Sequence, residues 1–201
     1  MKLFFKSGAC SLSPRIVLEE LGLTYEAEGV DLKTRTTASG GDYLAINPKG
    51  YVPALQLDSG EVLTEGPAIV QYLADQVPQK RLAPANGTLE RYRLQSWLTF
   101  IGTEVHKQFS PLFNPASGDD AKAQARANLE RRIAWIDGEL AGRDYLMGTD
   151  FSVADAYLFT VLSWSRFVKL DLSVHARVQA YLARVAARPG VQAALKAEGL
   201  A

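Results

Sequence analysis

The single cysteine of the chain, Cys10, lies in the segment SGACSLSPRIV, between the apolar run KLFF and the start of an expected helix. The dipole of a helix and its unpaired N–H groups favour a thiolate over a thiol at the N-terminus. Arg15 and Lys6 are close in sequence and could add positive charge. The alternative is that Cys10 is a small buried hydrophobic residue, as many cysteines are. The local sequence makes Cys10 a candidate reactive thiol and leaves the packing role open.

A row of uncharged polar side chains runs along a long expected helix. Thr99, Thr103, His106 and Ser110 are spaced by four, three and four residues, so they share one helix face. A solvated face would normally carry Lys and Glu, and this row is therefore more typical of a polar cleft. A lone histidine is often only a hydrogen-bonded structural residue. Its place in the row makes His106 a candidate functional residue.

Two further segments contain groups that could bind a peptide-like ligand. GYVPAL places Pro53 directly before a strand, which suits a cis turn or a sheet edge whose backbone stays available. If Val52 is extended there, its N–H and C=O could pair with a ligand as an added strand would. TEGPA places Glu65 at a helix N-terminus, where the N–H of Gly66 could hold a carboxylate. Glu65 itself could bind an ammonium group, or it could simply be a helix cap with a favourable charge.

Composition excludes several classes of function. The chain has 201 residues, with 22 Lys plus Arg and 22 Asp plus Glu, so no net charge favours nucleic acid or an acidic membrane surface. No apolar run approaches the length of a membrane span, and no signal-peptide pattern begins the sequence. One cysteine cannot form an internal disulfide, and one cysteine with two histidines argues against a structural zinc site. We expect a cytoplasmic protein without a membrane, nucleic-acid or metal partner.

The elements that would position these groups begin with an α/β pattern. KLFFK predicts a strand, SLSPRIVLEELGL a helix capped by Ser11 or Ser13 and ended at Gly22, and YEAEGVDL a second strand. This order suggests a right-handed parallel βαβ unit. A helical turn at DYLAI, a hairpin made of PALQL and EVL, and the helix EGPAIVQYLADQ follow. The predicted order is β-α-β-α-β-β-α.

The rest of the chain has helical periodicity and no convincing strand. In SVAD, Ser152 and Asp155 are predicted to form a capping box at a helix start. A core seam is predicted along the helix that contains the polar row, at Leu94, Leu98, Ile101, Val105 and Leu112. The predicted helices are 89–113, 121–141, 152–168, 174–187 and 190–198. We predict an α/β domain at 1–77, a linker at 78–87 and an all-helical domain at 88–201.

Together these segments resemble the glutathione transferases, and most closely the bacterial beta class. The resemblance covers essentially the whole chain, and the pairing of Cys10 with His106 is its more class-specific feature. It implies a thioredoxin-like N-terminal domain, an all-α C-terminal domain and a homodimer. The segments that carry the resemblance are GACSLSP (8–14), NPKGYVPAL (47–55), LTEGPAIVQYLADQ (63–76), EVHKQFSPLF (104–113) and FSVADAY (151–157).

The resemblance also implies a role for residues at matching positions. Cys10 would lie beside the glutathione sulfur, with which the beta class can form a mixed disulfide. Val52, before a cis Pro53, would pair its backbone with the cysteinyl part of glutathione. Glu65 would hold the γ-glutamyl ammonium group, and Gly66 would hold the adjoining carboxylate. The full set implied for glutathione is Ala9, Cys10, Arg35, Tyr51, Val52, Pro53, Glu65, Gly66, Thr99, Thr103, Glu104, Val105, His106 and Lys107.

The sequence departs from the family pattern at a few positions. Many transferases have Ser where this chain has Gly66, so a hydroxyl contact would be lost while the backbone donor remains. The position near 35 is commonly Lys in beta enzymes and is Arg35 here, which can hold a carboxylate bidentately. The Tyr or Ser that activates glutathione in other classes has no clear equivalent, since Phe5 near that position lacks a hydroxyl. The resemblance therefore directs the chemistry to Cys10.

The implied activity is conjugation of the glutathione thiol to hydrophobic electrophiles, halogenated ones included, with glutathione as co-substrate and no further cofactor. Ser11 and His106 would assist Cys10, and His106 would donate a hydrogen bond or a proton. Phe109, Phe113 and Trp164 are candidates for the apolar electrophile pocket. Two alternatives stay open: a glutathione-dependent thiol–disulfide oxidoreductase working by a monothiol route, and a non-catalytic ligand-binding module of the same fold.

Overall fold

The computed structural model describes the whole chain, residues 1–201, which divides into two compact units. The first unit contains Met1–Ala83 together with Ala187–Ala201, and the second contains Pro84–Ala186. The first has a sheet and helices and the second has helices only, in agreement with the predicted classes. No helix is both long enough and apolar enough to span a bilayer.

A mixed sheet of five strands, ordered β3-β2-β1-β4-β5, forms the centre of the first unit. Its elements in chain order are β1 (Lys2–Phe5), α1 (Leu12–Leu21), β2 (Glu26–Asp31), β3 (Thr36–Thr37), α2 (Tyr43–Ile46), β4 (Ala54–Gln56), β5 (Val62–Thr64) and α3 (Gly66–Gln76). β1 and β2 are parallel, and β4 and β5 form an antiparallel hairpin. The predicted order is confirmed, with the short strand β3 added because it pairs antiparallel with the end of β2.

The predicted N-caps of α1, Ser11 and Ser13, do not cap the helix. Ser11 stands at the N-cap position with helical backbone angles, and its hydroxyl bonds the backbone of Lys6. The first N–H groups of the helix bond carbonyls of the preceding turn, so they need no side-chain acceptor. The predicted end of α1 is confirmed, since Gly22 adopts the left-handed conformation with φ of 70°.

The second unit contains α4 (Leu89–Phe100), a π-helical turn (Ile101–His106), α5 (Lys107–Phe113), α6 (Asp119–Glu139), α7 (Val153–Leu162), α8 (Ser165–Val168) and α9 (Ala176–Ala186). The π-helical turn joins α4 to α5, so the predicted helix 89–113 is continuous but changes its hydrogen-bonding pattern in the middle. Four of the five predicted seam residues are buried, and only Leu112 is partly exposed.

The predicted capping box at the start of α7 is confirmed. The carboxylate of Asp155 accepts from the Ser152 N–H at 2.8 Å and from its hydroxyl at 2.7 Å. It also accepts from the Leu146 N–H at 2.8 Å and from the Tyr181 hydroxyl at 3.1 Å. Because Asp155 is fully buried, these four donors are what compensates the loss of water around its charge.

The C-terminal segment belongs to the first compact unit. α10 (Pro189–Ala197) packs against α1, and Arg188 donates two hydrogen bonds to Glu20, at 2.9 and 2.6 Å. Gly190 permits the close approach, because a Cβ there would lie 2.8 Å from the Glu20 side chain. The predicted domain boundaries stay a prediction, and the bounds of the compact units differ from them by placing residues 187–201 with the α/β part.

Candidate functional site

The loop between β1 and α1 presents Cys10. The Ser11 hydroxyl accepts from the Lys6 N–H at 3.1 Å and donates to the Lys6 carbonyl at 3.2 Å, which closes the loop at its base. Ala9 packs against the core cluster that includes Val52. Cys10 is partly buried, and its Sγ lies 3.2 Å from the Val52 carbonyl oxygen. The structure therefore brings the predicted thiol to the predicted backbone site.

Ser11 is a correction to the predicted set of catalytic helpers. Its side chain is fully buried, and the Lys6 backbone occupies it as both donor and acceptor. In this structure Ser11 therefore holds the base of the loop. The predicted positive charge of Arg15 near Cys10 is paired with another residue. The Nε of the buried Arg15 lies 3.3 Å from the Glu198 Oε1, and its guanidinium lies 4.0 Å from the centre of the Phe5 ring.

The Val52–Pro53 bond is cis, as the position of the proline before β4 suggested. The Tyr51 carbonyl accepts hydrogen bonds from the Tyr43 hydroxyl and the Asn47 amide, both at 2.7 Å, and these two bonds fix the turn. The Val52 carbonyl accepts from Cys10, whereas no hydrogen bond engages the Val52 N–H. One backbone donor thus stays available beside the thiol.

The N-terminus of α3 lies next to this turn. A Cβ on Gly66 would stand 3.8 Å from the Pro53 ring, and the Gly66 N–H is one of the helix donors without an intrahelical acceptor. Glu65 has φ of 70°, a conformation that residues other than glycine rarely adopt and that clusters at functional sites. Its side chain does not cap the helix and instead pairs with the Lys49 ammonium group at 2.7 Å.

Lys49 was missed by the sequence reasoning. It also donates to the Thr64 hydroxyl at 3.1 Å, so it neutralises Glu65 from the preceding loop. The only signal for Lys49 was its place inside the segment NPKGYVPAL, which does not show a pairing across sixteen positions. Arg35 is a second cation in this region: its guanidinium donates to the Gly50 carbonyl and lies 5.9 Å from the Tyr51 ring, which is 67% exposed.

His106 lies in an aromatic cluster of the second unit. Its Nδ1 is 2.7 Å from the Tyr157 hydroxyl, and its ring meets the Trp164 ring edge-on at 4.8 Å between centroids. Burial, together with the charge of Lys107, lowers the pKa of His106 to about 4. The imidazole is therefore neutral at pH 7, with one nitrogen as donor and the other as acceptor. Tyr157 was missed as a partner, although the segment FSVADAY was singled out.

The predicted electrophile pocket is corrected in part. Phe109 is fully buried and Trp164 is 6% exposed, so both are mainly core residues of the aromatic cluster. Phe113 is 47% exposed and stacks on Phe109 at 6.2 Å. The side chain of Val105 is likewise fully buried, as part of the core seam.

The remaining predicted residues of this helix are exposed or partly exposed. Thr99, Thr103 and Lys107 are exposed, and the Thr103 hydroxyl donates to the Thr99 carbonyl at 3.1 Å. Glu104 pairs with Arg132 of α6 at 2.5 Å. The predicted polar row therefore exists as a surface feature, with His106 as its most buried member.

The sequence of the chain matches known proteins along its whole length. The models of the glutathione S-transferase N-terminal and C-terminal domains match residues 8–76 and 100–189. The glutathione S-transferase GstA of Escherichia coli O157:H7 is 48% identical over the full length of both chains.

Two solved structures are similarly close. A sphingomonad glutathione S-transferase complexed with glutathione is 55% identical, with a TM-score of 0.96 over all of both chains. A bacterial beta class glutathione S-transferase from Sphingomonas chungbukensis is 53% identical, with a TM-score of 0.97 over all of both chains. The similarity in sequence and in structure therefore extends over the entire chain.

Proposed function

Since the chain belongs to the glutathione S-transferase family, with the fold of its bacterial beta class, we propose that Cys10 stands at the thiol site of glutathione. The family and its transferase activity rest on the full-length relatives. What the proposal adds is which residues of this chain bind glutathione and which reaction they assist.

The proposal rests on the backbone of Val52 beside the thiol. The Cys10 Sγ lies 3.2 Å from the Val52 carbonyl oxygen, and the Val52 N–H has no hydrogen-bond partner. The cysteinyl part of glutathione has one amide N–H and one C=O, so it can pair with an extended backbone as an added strand does. A ligand paired with Val52 would bring its sulfur beside Cys10. The relative that contains glutathione supports this choice of ligand.

The two ends of glutathione would be held by charged groups of the same unit. The Gly66 N–H at the start of α3, which no side chain caps, suits the γ-glutamyl carboxylate. Glu65 suits the ammonium group, which would compete with Lys49 for the same carboxylate. Arg35, beside Tyr51, suits the glycyl carboxylate because a guanidinium can bind it through two parallel hydrogen bonds.

From the helical unit, we propose His106 as a hydrogen-bond donor and not as an acid, because its pKa of about 4 leaves it neutral at pH 7. Thr99, Thr103, Glu104 and Lys107 are proposed as secondary contacts. Phe113, the one exposed aromatic residue of the predicted electrophile set, is proposed to contact the apolar part of the second substrate.

In the proposed reaction the glutathione thiolate attacks an electrophilic carbon and forms a carbon–sulfur bond. A leaving group such as chloride departs with the bonding electrons, and the thiol proton passes to solvent. The protein lowers the barrier by orienting the sulfur and by favouring its ionised form. No metal or nucleotide cofactor takes part, and a cytoplasmic location is proposed.

A homodimer is proposed from the surface of the helical unit. Leu89 and Tyr92 on α4 are 61% and 60% exposed, and Trp135 on α6 is 47% exposed. Large apolar side chains of this kind commonly mark an interface. Sedimentation of the wild-type chain should give a dimer, and Tyr92→Glu should shift it toward the monomer, whereas a wild-type monomer would contradict the assembly.

The test compares wild type with Cys10→Ala, using glutathione with a chlorinated aromatic and, separately, a glutathione mixed disulfide. Reduced conjugation by the variant with retained glutathione binding supports the proposal. Loss of disulfide reduction alone would favour the oxidoreductase, and no turnover by wild type with either substrate would favour a non-catalytic ligand-binding module. Mass spectrometry of the non-reduced protein adds a direct reading, because a glutathione-sized adduct on the single cysteine identifies the ligand and the residue together.

A further inference from the structure

We propose that Glu198, at the end of the C-terminal helix, is a positioning residue for Cys10. Its carboxylate and its backbone carbonyl hold the loop that presents the thiol. The inference rests on the proposed function in one respect only, namely that Cys10 is the working thiol. The contacts themselves stand without it.

Glu198 binds the Cys10 loop at two points. Its Oε2 accepts from the Gly8 N–H at 2.8 Å, and its backbone carbonyl accepts from the Ser7 hydroxyl at 2.7 Å. Gly8 has φ of 73°, and a Cβ there would lie 3.8 Å from the Leu200 side chain. Because Cys10 follows two residues later, these contacts restrict the backbone from which the thiol projects.

The carboxylate of Glu198 is itself held in place. Its side chain is fully buried, and its Oε1 lies 3.3 Å from the Nε of Arg15, which is 3% exposed. The Arg15 guanidinium in turn lies 4.0 Å above the Phe5 ring at the end of β1. Burial raises the pKa of the Glu198 carboxyl, while the Gly8 N–H and the charge of Arg15 act to lower it. An ion pair buried in this way loses much when one partner is removed, since the other is left uncompensated.

The opposite end of the C-terminal helix is anchored separately. Arg188 forms a bidentate pair with Glu20 on α1, at 2.9 and 2.6 Å. The C-terminal segment therefore contacts the rest of the first unit through the two residues that flank α10. Arg188 attaches the helix to α1, and Glu198 fixes the loop. The difference between them provides a matched control.

The consequence concerns the thiol. In the folded protein the Cys10 Sγ lies 3.2 Å from the Val52 carbonyl oxygen, within hydrogen-bond distance. If the loop loses its support from Glu198, the thiol should leave this acceptor more often and become more accessible to a small reagent. Conjugation of glutathione should fall at the same time, because the sulfur would no longer be held in one position.

The experiment measures alkylation of the folded protein by iodoacetamide, which reports on Cys10 alone because the chain has one cysteine. Glu198→Ala is expected to raise the alkylation rate about three- to tenfold, the effect of losing the hydrogen bond between the Gly8 N–H and a charged carboxylate, while the backbone carbonyl that accepts from Ser7 is kept. Glu198→Gln keeps an acceptor for the Gly8 N–H but leaves the charge of the buried Arg15 uncompensated, so its rate should lie between those of wild type and Glu198→Ala. Arg188→Ala loosens α10 at its other end and should also stay within about twofold.

Ser7→Ala is the second test, because Ser7 is exposed and its removal should leave the protein folded even where Glu198→Ala does not. It should raise the rate about twofold to threefold, since one loop contact is lost. Unchanged rates in both Glu198→Ala and Ser7→Ala would overturn the proposal, and so would an equal increase in Arg188→Ala. An increased alkylation rate with unchanged glutathione conjugation would instead contradict the role of Cys10 in transfer and leave the positioning by Glu198 intact.

Discussion

Replacing His106 by Gln should make the stability of the protein less sensitive to acid. The folded chain holds His106 as a neutral ring against Tyr157 and Trp164, and its pKa is lowered to about 4 by burial and by Lys107. In the unfolded chain the same side chain should titrate near about 6.5. Between these two values the unfolded state binds more protons than the folded state, so stability falls as the pH falls.

The size of the effect follows from the two pKa values. At about pH 5 the unfolded His106 is almost fully protonated while the folded one is mostly neutral, which costs the wild type about 2 kcal/mol of unfolding free energy. At about pH 7.5 neither state is appreciably protonated, and the cost falls below about 0.1 kcal/mol. The side chain of glutamine does not take up a proton in this pH range, so the unfolding free energy of His106→Gln lacks this loss at both pH values.

Urea denaturation at the two pH values measures the difference. The wild type should lose about 2 kcal/mol more than His106→Gln between about pH 7.5 and about pH 5, because the remaining acidic and basic groups are common to both proteins. His175→Gln is the matched control, since it removes the other histidine and leaves the contacts of His106 intact. A difference below about 0.5 kcal/mol, or a His106 resonance that titrates near about 6.5, would refute the neutral buried ring and restore His106 as a proton donor at neutral pH.

Two further predictions concern packing and buried polar groups. Asp155→Ala should lower the free energy of unfolding by about 3 kcal/mol or more, because four buried donors lose their acceptor. The control, Asp171→Ala on the surface, should lower it by less than about 1 kcal/mol. Equal losses in urea denaturation would contradict the structural role of Asp155. Gly190→Ala should lower the free energy of unfolding by about 1 to 3 kcal/mol, because its Cβ would lie 2.8 Å from the Glu20 side chain. The control, Gly138→Ala, has open space around it and should leave that free energy unchanged or raise it by up to about 1 kcal/mol. A Gly190→Ala protein as stable as wild type would show that α10 does not approach α1 this closely.

Much of the fold could be predicted because its signals are local. The hairpin of β4 and β5, the end of α1 at Gly22 and the capping box of Ser152 with Asp155 each depend on residues within a few positions of one another. At the start of α1 the predicted position of Ser11 is confirmed, but its predicted side-chain capping bond is not formed. A serine before a helix is a common cap, but the turn at Ser11 satisfies the helix N–H groups with its own carbonyls. Local residue preference cannot distinguish these two outcomes.

The candidate site was predictable in its main groups and not in their partners. Cys10, Val52 and Pro53 come together as the resemblance implied, with the thiol at the carbonyl and the proline cis. The pairing of Lys49 with Glu65 and that of His106 with Tyr157 were not visible, since sixteen and 51 positions separate the partners. The core roles of Phe109 and Trp164 were also missed, because an aromatic residue on a helix has the same sequence signal whether it lines a pocket or fills a core.

Two buried carboxylates show what limits such a prediction. Asp155 and Glu198 have the same structural role, because the carboxylate of each accepts a hydrogen bond from the backbone N–H of a loop residue, Leu146 and Gly8 respectively. The penalty for removing either one arises from the same source, the desolvated donors left behind. Asp155 could nevertheless be recognised from the sequence because Ser152 is three residues away, whereas Glu198 could not because Gly8 is 190 residues away. Sequence separation, and not the strength of the interaction, therefore decides which of the two is visible before the chain is folded.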